Sequence, residues 1–496
     1  MNDQSPASLL LDYNEFARVA GGEWRNYQGQ PPLTGVSVNR EYMSEGSTGN
    51  FYFLLGPKEE PKEFTRHHLA LLQNVFELGA AAAVVPRNAK GLPENRPLLL
   101  VDDVRETLEK LALHVRDRFT GKRVLVTGTE GKTGFKCMLG HVLAKQIPTQ
   151  FACNSGNLES GIYASLASIR REDRVAIIEA SVAQPGRGVL RSNIVKPHVA
   201  VITEVGNEHL KYHGSMEVLI ESKAGIVDGV VDGGYCILNA DSGNYLPVRK
   251  AVLATRRLPI LLFGSAPWCN GRLLGSEFVD NGWRVTAEIE GEKVEYHVPV
   301  LGEHIPLASV SVLLTAYYLG ADVVRAAAGF SDFKPYESQG VLRTLLCNGG
   351  EVRCFENASR ASVLSFQSTL SMVPKLQPLV PEGKKVGVIG EMVYLGKQAE
   401  KEHKRLAEWI DAAGFDRVIL IGANTKATLA NLKNPDIVIK QFFEYDRHKS
   451  DAGAFQALID GITSEVHPGD FLFVKGELDE LGVYLRTLEV NKDRQV

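Results

Sequence analysis

The chain is poor in the features that would place it outside a cell or in a membrane. Its six cysteines, at positions 137, 153, 236, 269, 347 and 354, include no pair at CxxC spacing. That argues against both a zinc knuckle and a disulfide framework. No apolar run approaches the roughly 18 residues needed to span a bilayer. The opening "MNDQSPASLLL" has no basic stretch and only three consecutive leucines, so it does not read as a secretory leader. Charge of one sign is also lacking. The formal net charge is -4, and nothing that near neutral suggests a nucleic-acid or membrane-surface partner. The expectation is a soluble cytoplasmic protein, by default a monomer, acting on small molecules. Repeats and low-complexity tracts are missing as well.

What the chain does have is a globular composition, 44% hydrophobic and 23% charged over 496 residues. That length exceeds one ordinary core, and the pattern divides it into three α/β units. In residues 1–119, "LTGVSV", "NFYFLL" and "PLLLVDD" read as strands. "HHLALLQNVFELGAAAAVV" reads as a helix stopped at Gly79 and a buried strand, and "VRETLEKLALHVRDRF" as an amphipathic helix. From 120 to 335, strands such as "RVAIIEAS", "HVAVITEVG" and "YCILNAD" alternate with helices, which predicts a parallel, doubly wound sheet. A polar stretch at "SDFKPYESQG" reads as a hinge. From 336 to 496, "KKVGVIGEM", "RVILIG" and "DFLFVKG" alternate with helices again, a Rossmann-like pattern.

The strand "RVLVT" runs into Gly128, Thr129, Glu130, Gly131, Lys132 and Thr133, and a helix follows with Phe135, Met138, Leu139 and Val142 on one side. A phosphate-binding loop needs this context. Glycines let backbone N–H groups approach phosphates, and the helix N-terminus favours their charge. Lys132 is placed to reach the β- and γ-phosphates of ATP, and Thr133 to ligate Mg²⁺. The strict eight-residue pattern is not met, because Val126 occupies the position of its first glycine.

In "SMEVLIESKAGIVDGV", Met216, Leu219, Ile220, Val227 and Val230 form one helical stripe, and Lys223 lies within it. Two readings are open: the lysine snorkels to the edge of the stripe, or burial favours the neutral amine and its chemistry is used. Glu179 ends the strand "RVAIIE", where open α/β sheets place ligand-binding residues. Taken alone it could be a solvated cap. His209 follows "HVAVITEVG" by a short turn and could be structural. Together the carboxylate and the histidine could hold the Mg²⁺ of a bound nucleotide.

The order "TGTEGKT", "IIEAS", "HVAVITEVGNEHLKYHGSMEVLIESKAGIV", "ILNAD" resembles the Mur ligase family. "GVIGEMVYLGKQAEKEH" and "PGDFLFVKG" extend the similarity, as does the opening "FARVAGGEW...LTGVSVNR...FYFLL". The resemblance implies a substrate domain of UDP-sugar-binding type, a central ATP domain and a C-terminal ligase domain. It also implies phosphorylation of a carboxylate by ATP, followed by attack of an amine on the acyl phosphate. It assigns Glu179 and His209 to magnesium, and Lys223 to a carbamate formed with CO₂ that helps place a second magnesium. Arg343 and Lys475 would meet ATP or the acyl phosphate on closure. Arg40, His67, Asn157 and Glu356 would fall at substrate positions.

The chain departs from the family pattern mainly where substrates are recognised. Val38, Asn39 and Arg40 stand for an aspartate–serine–arginine turn. Thr65, Arg66 and His67 stand for aspartate–glycine–histidine. Glu159 and Ser160 replace paired asparagines, Ile305 and Ala308 replace asparagines near adenine, and Ser359 replaces another near the amine. Lost hydrogen-bond partners change the accepted substrate more than the reaction type. The expectation is therefore an ADP-forming amide ligase whose acid and amine need not be the usual cell-wall pair. A nucleotide-binding protein that has lost catalysis and a small-molecule kinase are the competing readings.

Overall fold

The computed structural model describes residues 9–29, 32–38, 50–55, 66–152, 156–206, 213–335, 340–393, 395–446 and 451–490, apart from the side chains of Arg66, His67 and Arg360. The described chain builds three sheets, and no described helix is long and apolar enough to cross a membrane.

The N-terminal sheet holds β1 (Glu23–Arg25), β2 (Gly35–Ser37), β3 (Asn50–Phe53), β4 (Ala82–Pro86) and β5 (Leu98–Val101) in the order β1-β5-β4-β3-β2, parallel except for β1. Its strands are short apolar runs, as a sheet covered on both faces requires. The helix Val104–Arg118 then leads to the central sheet. Asp103 caps it by accepting from the N–H groups of Arg105 and Glu106, each at 2.8 Å, a cap worth about 1 kcal/mol.

The central sheet holds β6 (Lys122–Thr127), β7 (Thr149–Gln150), β8 (Val175–Glu179), β9 (Val199–Ile202), β10 (Tyr235–Asn239), β11 (Ile260–Gly264), β12 (Gly271–Val279), β13 (Gly282–Ile289) and β14 (Glu292–Val298). Their order is β14-β13-β12-β11-β10-β9-β6-β8-β7. The chain winds away from β6 in both directions, so β6 marks the point where strand order reverses. A crevice opens at that point, beyond the carboxyl ends of the strands.

Two local expectations need correction. The central sheet is not wholly parallel, because β12, β13 and β14 form an antiparallel extension. Two-residue turns at Asp280–Asn281 and Glu290–Gly291, all at positive φ, close its hairpins, and "DNG" was the available signal. The stripe around Lys223 is also not one helix. The α-helix covers Met216–Ala224, and Gly225–Val227 tightens to a 3-10 turn, so Val227 and Val230 lie beyond it. The cause is a close crossing: a Cβ at Gly225 would stand 2.9 Å from the Val189 amide nitrogen, and one at Gly188 would stand 2.0 Å from the Ser222 carbonyl.

The C-terminal sheet comprises β15 (Val341–Cys347), β16 (Gly350–Asn357), β17 (Ser359–Arg360), β18 (Lys385–Ile389), β19 (Arg417–Ile421), β20 (Val438–Phe442) and β21 (Phe471–Glu477). The order is β15-β16-β21-β18-β19-β20, with β17 on β21. The antiparallel β15–β16 hairpin, turned at Asn348–Gly349, adds an edge to a parallel core.

Candidate nucleotide site

β6 is buried from Arg123 onward and ends at Thr127, and the next helix, Lys132–Ala144, begins after four intervening residues. Glycine is required twice in that short passage. Gly131 has φ 80°, and a Cβ at Gly128 would lie 2.1 Å from the Thr203 hydroxyl. The loop therefore nests against the segment after β9, and Thr203 donates to the Glu130 carbonyl at 2.5 Å.

Side chains from four segments converge here. Lys132 Nζ donates to the carbonyls of Gly128 at 3.0 Å and Thr129 at 2.6 Å. Lys223 Nζ reaches the same Gly128 carbonyl at 2.8 Å and is buried. The tertiary fold thus decides between the two readings of this lysine's position: it does not snorkel outward but ends at the glycine loop. Its helix is set in place by the Gly188–Gly225 crossing one or two residues away.

Glu179, at the end of β8, lies opposite Val126 of β6 and is buried. Its Oε1 accepts from the Thr133 hydroxyl at 3.0 Å and from Asn157 Nδ2 at 2.8 Å. Its Oε2 lies 3.0 Å from Lys136 Nζ, in an ion pair whose two side chains are 3% and 0% exposed. The sequence reading passed over Lys136. The available signal was its spacing: a residue three after Thr133 on a helix shares its face.

Among the described residues, no cluster of three or more His, Cys, Asp and Glu side chains could hold a metal unaided. A hydroxyl beside one buried carboxylate at the base of the loop is nevertheless a hard-oxygen set. It suits Mg²⁺ held partly by nucleotide phosphates.

A cavity of about 480 Å³ opens beside the loop, between the central sheet and the helix Val363–Leu370. Glu130 and Thr133 line one end, Ile305 and Ala308 a wall, and Asn357 and Ser365 the opposite side. Glu204, at the carboxyl end of β9, also faces it, accepting from Ser242 at 2.6 Å and Asn239 Nδ2 at 2.9 Å. Burial pushes the Glu204 carboxyl above its ordinary pKa, against those donors. The sequence reading missed Glu204, although it follows a buried strand just as Glu179 ends one.

Two bonds span the cavity's sides. The Ser362 hydroxyl donates to the Glu130 carboxylate, and the Ser368 hydroxyl lies 2.7 Å from His304 Nδ1. Lys475 is fully buried just behind this side. It donates to Asn357 Oδ1 at 3.2 Å and to the Ser365 hydroxyl, with its ammonium 5.2 Å from the Phe366 ring centroid.

Arg343 and Glu356 are placed elsewhere. Arg343 Nε lies 3.0 Å from Glu356 Oε2, Arg486 lies 3.0 Å from the other oxygen, and Arg343 also pairs with Glu489. Neither Arg343 nor Glu356 lines the cavity. Successive strand residues face opposite ways, so Asn357 takes the cavity face and Glu356 the other. In this arrangement Arg343 and Glu356 meet each other, while the expectation for Arg343 is a contact with ATP or the acyl phosphate on closure and for Glu356 a place at the amine site. His209 and Arg40 lie outside the described residues, as does the side chain of His67.

Comparison with known proteins bears out the Mur ligase resemblance. The model of the Mur ligase middle domain matches residues 126–311. The UDP-N-acetylmuramoyl-tripeptide–D-alanyl-D-alanine ligase of Rickettsia prowazekii is 25% identical, with 82% of this chain and 86% of that protein covered. The ligase of the same name from Bacillus subtilis is 26% identical over 71% of this chain and 74% of its own. Among solved structures, MurF from Acinetobacter baumannii superposes with a TM-score of 0.71 at 19% identity, covering 97% of this chain and 99% of that one. MurF from Thermotoga maritima, solved in complex with ADP, gives 0.64 at 20% identity over 92% and 98%. At those identities the solved structures show a shared fold.

Proposed function

We propose that this Mur ligase-like chain is an ATP-dependent, ADP-forming ligase that joins an amine to a carboxylate through an acyl phosphate. The observation that carries this reading is the convergence of Lys132 and Lys223 on the Gly128 carbonyl, next to Thr133 on Glu179. A kinase needs the phosphate loop but gives no reason for a buried lysine from a distant helix to end there. The domains are taken as 1–119 for the acid, 120–335 for ATP and 336–496 for closure over the site, with the amine entering from the last.

Carboxylate is a poor electrophile, and phosphorylation supplies it with a leaving group. Lys132 exchanges its loop carbonyls for the phosphates and neutralises charge on the transferred group. Gly128, Thr129, Glu130 and Gly131 present the backbone to them. Thr133 and Glu179, with His209, would hold Mg²⁺, which supplies charge neutralisation at the phosphates when bound. Lys223, converted to a carbamate, would add one negative charge beside them. Lys475, behind Asn357 and Ser365 on the C-terminal side, would meet ATP or the acyl phosphate on closure, and Arg343 would join it there.

A second acid substrate is favoured over the one in the relatives' name by a specific contact. Glu159, in place of a family asparagine and two residues after Asn157, is engaged by Arg187 at 3.4 Å. This swap of a neutral amide for an ion pair changes what can be recognised. ADP release is the test. UDP-N-acetylmuramoyl-tripeptide with D-alanyl-D-alanine is the first pair, followed by other carboxylates and amino acids. Release that requires both an acid and an amine supports the ligase. Release with an acid alone, leaving a stable phosphorylated product, makes it a kinase. A folded chain that binds ATP and releases no ADP across the panel has lost catalysis.

A further inference from the structure

Glu179 sits where the reading above puts a divalent cation, yet its outer oxygen is already ion-paired with a buried ammonium, Lys136, at 3.0 Å. Both side chains are essentially shut off from water, so this pair is not a screened surface contact. Lys136 comes from the helix that the glycine loop starts, one turn beyond Thr133, and Thr133 holds the inner oxygen of the same carboxylate. Asn157 supplies a second donor to that inner oxygen. The carboxylate is therefore fixed from both sides, with Thr133 on the loop side and Lys136 on the far side.

Charge decides what such a site attracts. Among the described residues, Lys132, Lys136 and Lys223 are buried around the loop with Glu179 beside them, and the carboxylates of Glu130 and Glu204 border the cavity. Lys132 and Lys223 are turned to the loop carbonyls, whereas Lys136 meets Glu179 directly. The carboxylate at the base of the loop is thus already compensated, and alone it draws a free divalent cation only weakly. A polyphosphate brings the negative charge that the cation needs. Mg²⁺ keeps several waters and binds through one or two carboxylates only when phosphate oxygens complete its shell.

We propose that Lys136 is a positioning residue that neutralises Glu179 and so makes divalent-metal binding conditional on the nucleotide. The metal enters with the triphosphate, not ahead of it, and Lys136 also leaves the Thr133-facing oxygen of Glu179 as the one presented to the loop. This inference rests on the reading that the loop holds a metal–nucleotide complex. It does not depend on which acid or amine is used.

The test is Mn²⁺ binding to the full chain, read from loss of the free-ion signal in electron paramagnetic resonance, with and without ADP, after subtraction of the Mn²⁺ that the same ADP takes up in a protein-free titration. For the wild type, binding at least about tenfold tighter with ADP than without is expected. Equal affinity in the two titrations overturns the proposal without any variant. Lys136→Met should then bind Mn²⁺ without nucleotide at least about tenfold more tightly than the wild type. Lys136→Arg should behave as the wild type, and Lys136→Met combined with Glu179→Gln should lose the gained binding. If Lys136→Met titrates like the wild type in the absence of ADP, the proposal fails. Should Lys136→Met not fold, Lys136→Gln takes its place, with the same result expected and the same result overturning the proposal. Loss of ADP release with every acid, alongside the expected Mn²⁺ titrations, would sink the ligase reading and leave the role of Lys136 standing.

Discussion

Two carboxylates in this molecule, Glu179 and Glu356, are almost equally hidden from water and equally saturated with cations and donors. Glu179 takes Lys136, Thr133 and Asn157. Glu356 takes Arg343 and Arg486. Burial and charge do not separate them. What separates them is address: Glu179 ends a strand next to the β6 switch point and its glycine loop, whereas Glu356 faces away from the cavity on a strand whose next residue, Asn357, lines it. A buried ion pair is thus a site only where the fold opens a crevice beside it. Elsewhere it holds an edge hairpin to its sheet.

That contrast can be broken by substitution. Glu356→Leu removes the buried carboxylate that Arg343 and Arg486 share and should cost about 3–5 kcal/mol of stability, seen as a lower denaturant midpoint, with the affinity of the surviving folded protein for ADP unchanged. Lost ADP binding in folded protein would erase the distinction. Lys132→Ala should do the reverse. Turnover falls about 10²–10³-fold while the unfolding midpoint barely moves, because the bonds of Lys132 among the described residues are to the carbonyls of its own loop. Wild-type ADP formation in that variant removes the glycine loop from the chemistry.

Gly188→Ala sharpens the comparison by reaching the site through backbone alone. Its Cβ would press on the Ser222 carbonyl, shifting the helix that carries Lys223. Overpacking of this kind costs about 1–3 kcal/mol, and turnover should fall more than ADP affinity does. The smallest effect is expected at the floor of the same sheet, far from the loop. His198 Nδ1 accepts from the Arg123 amide at 3.1 Å. Burial, with Arg123 and Lys122 nearby, pulls its pKa from 6.5 down to about 4. The folded protein therefore binds fewer protons here than the unfolded chain, and stability falls as pH drops from about 6.5 toward 4. His198→Asn should flatten that part of the stability profile without changing ADP affinity. An unaltered pH profile in the variant would assign the acid sensitivity to other groups.

The sequence by itself determined the strand–glycine–helix unit at 122–144, the strand-end Glu179 and the anomaly of Lys223. These are local patterns: apolar runs, a loop that only glycine can make, and a cation inside an apolar stripe. It also carried the hairpin turns at 280–281, 290–291 and 348–349, although alternation with helices drew the reading toward a purely parallel sheet. Tertiary structure alone decided which charges meet. Lys136 and Glu179 are 43 positions apart in the numbering of the chain, and Arg343 finds Glu356 across a hairpin while Arg486 arrives from the last described helix. Partner choice among buried charges depends on the sum of desolvation and Coulomb terms over a packed interior. No spacing along the chain encodes that sum, so Lys136 stays silent in the sequence and becomes legible only when β6, β8 and the helix after the loop are brought side by side.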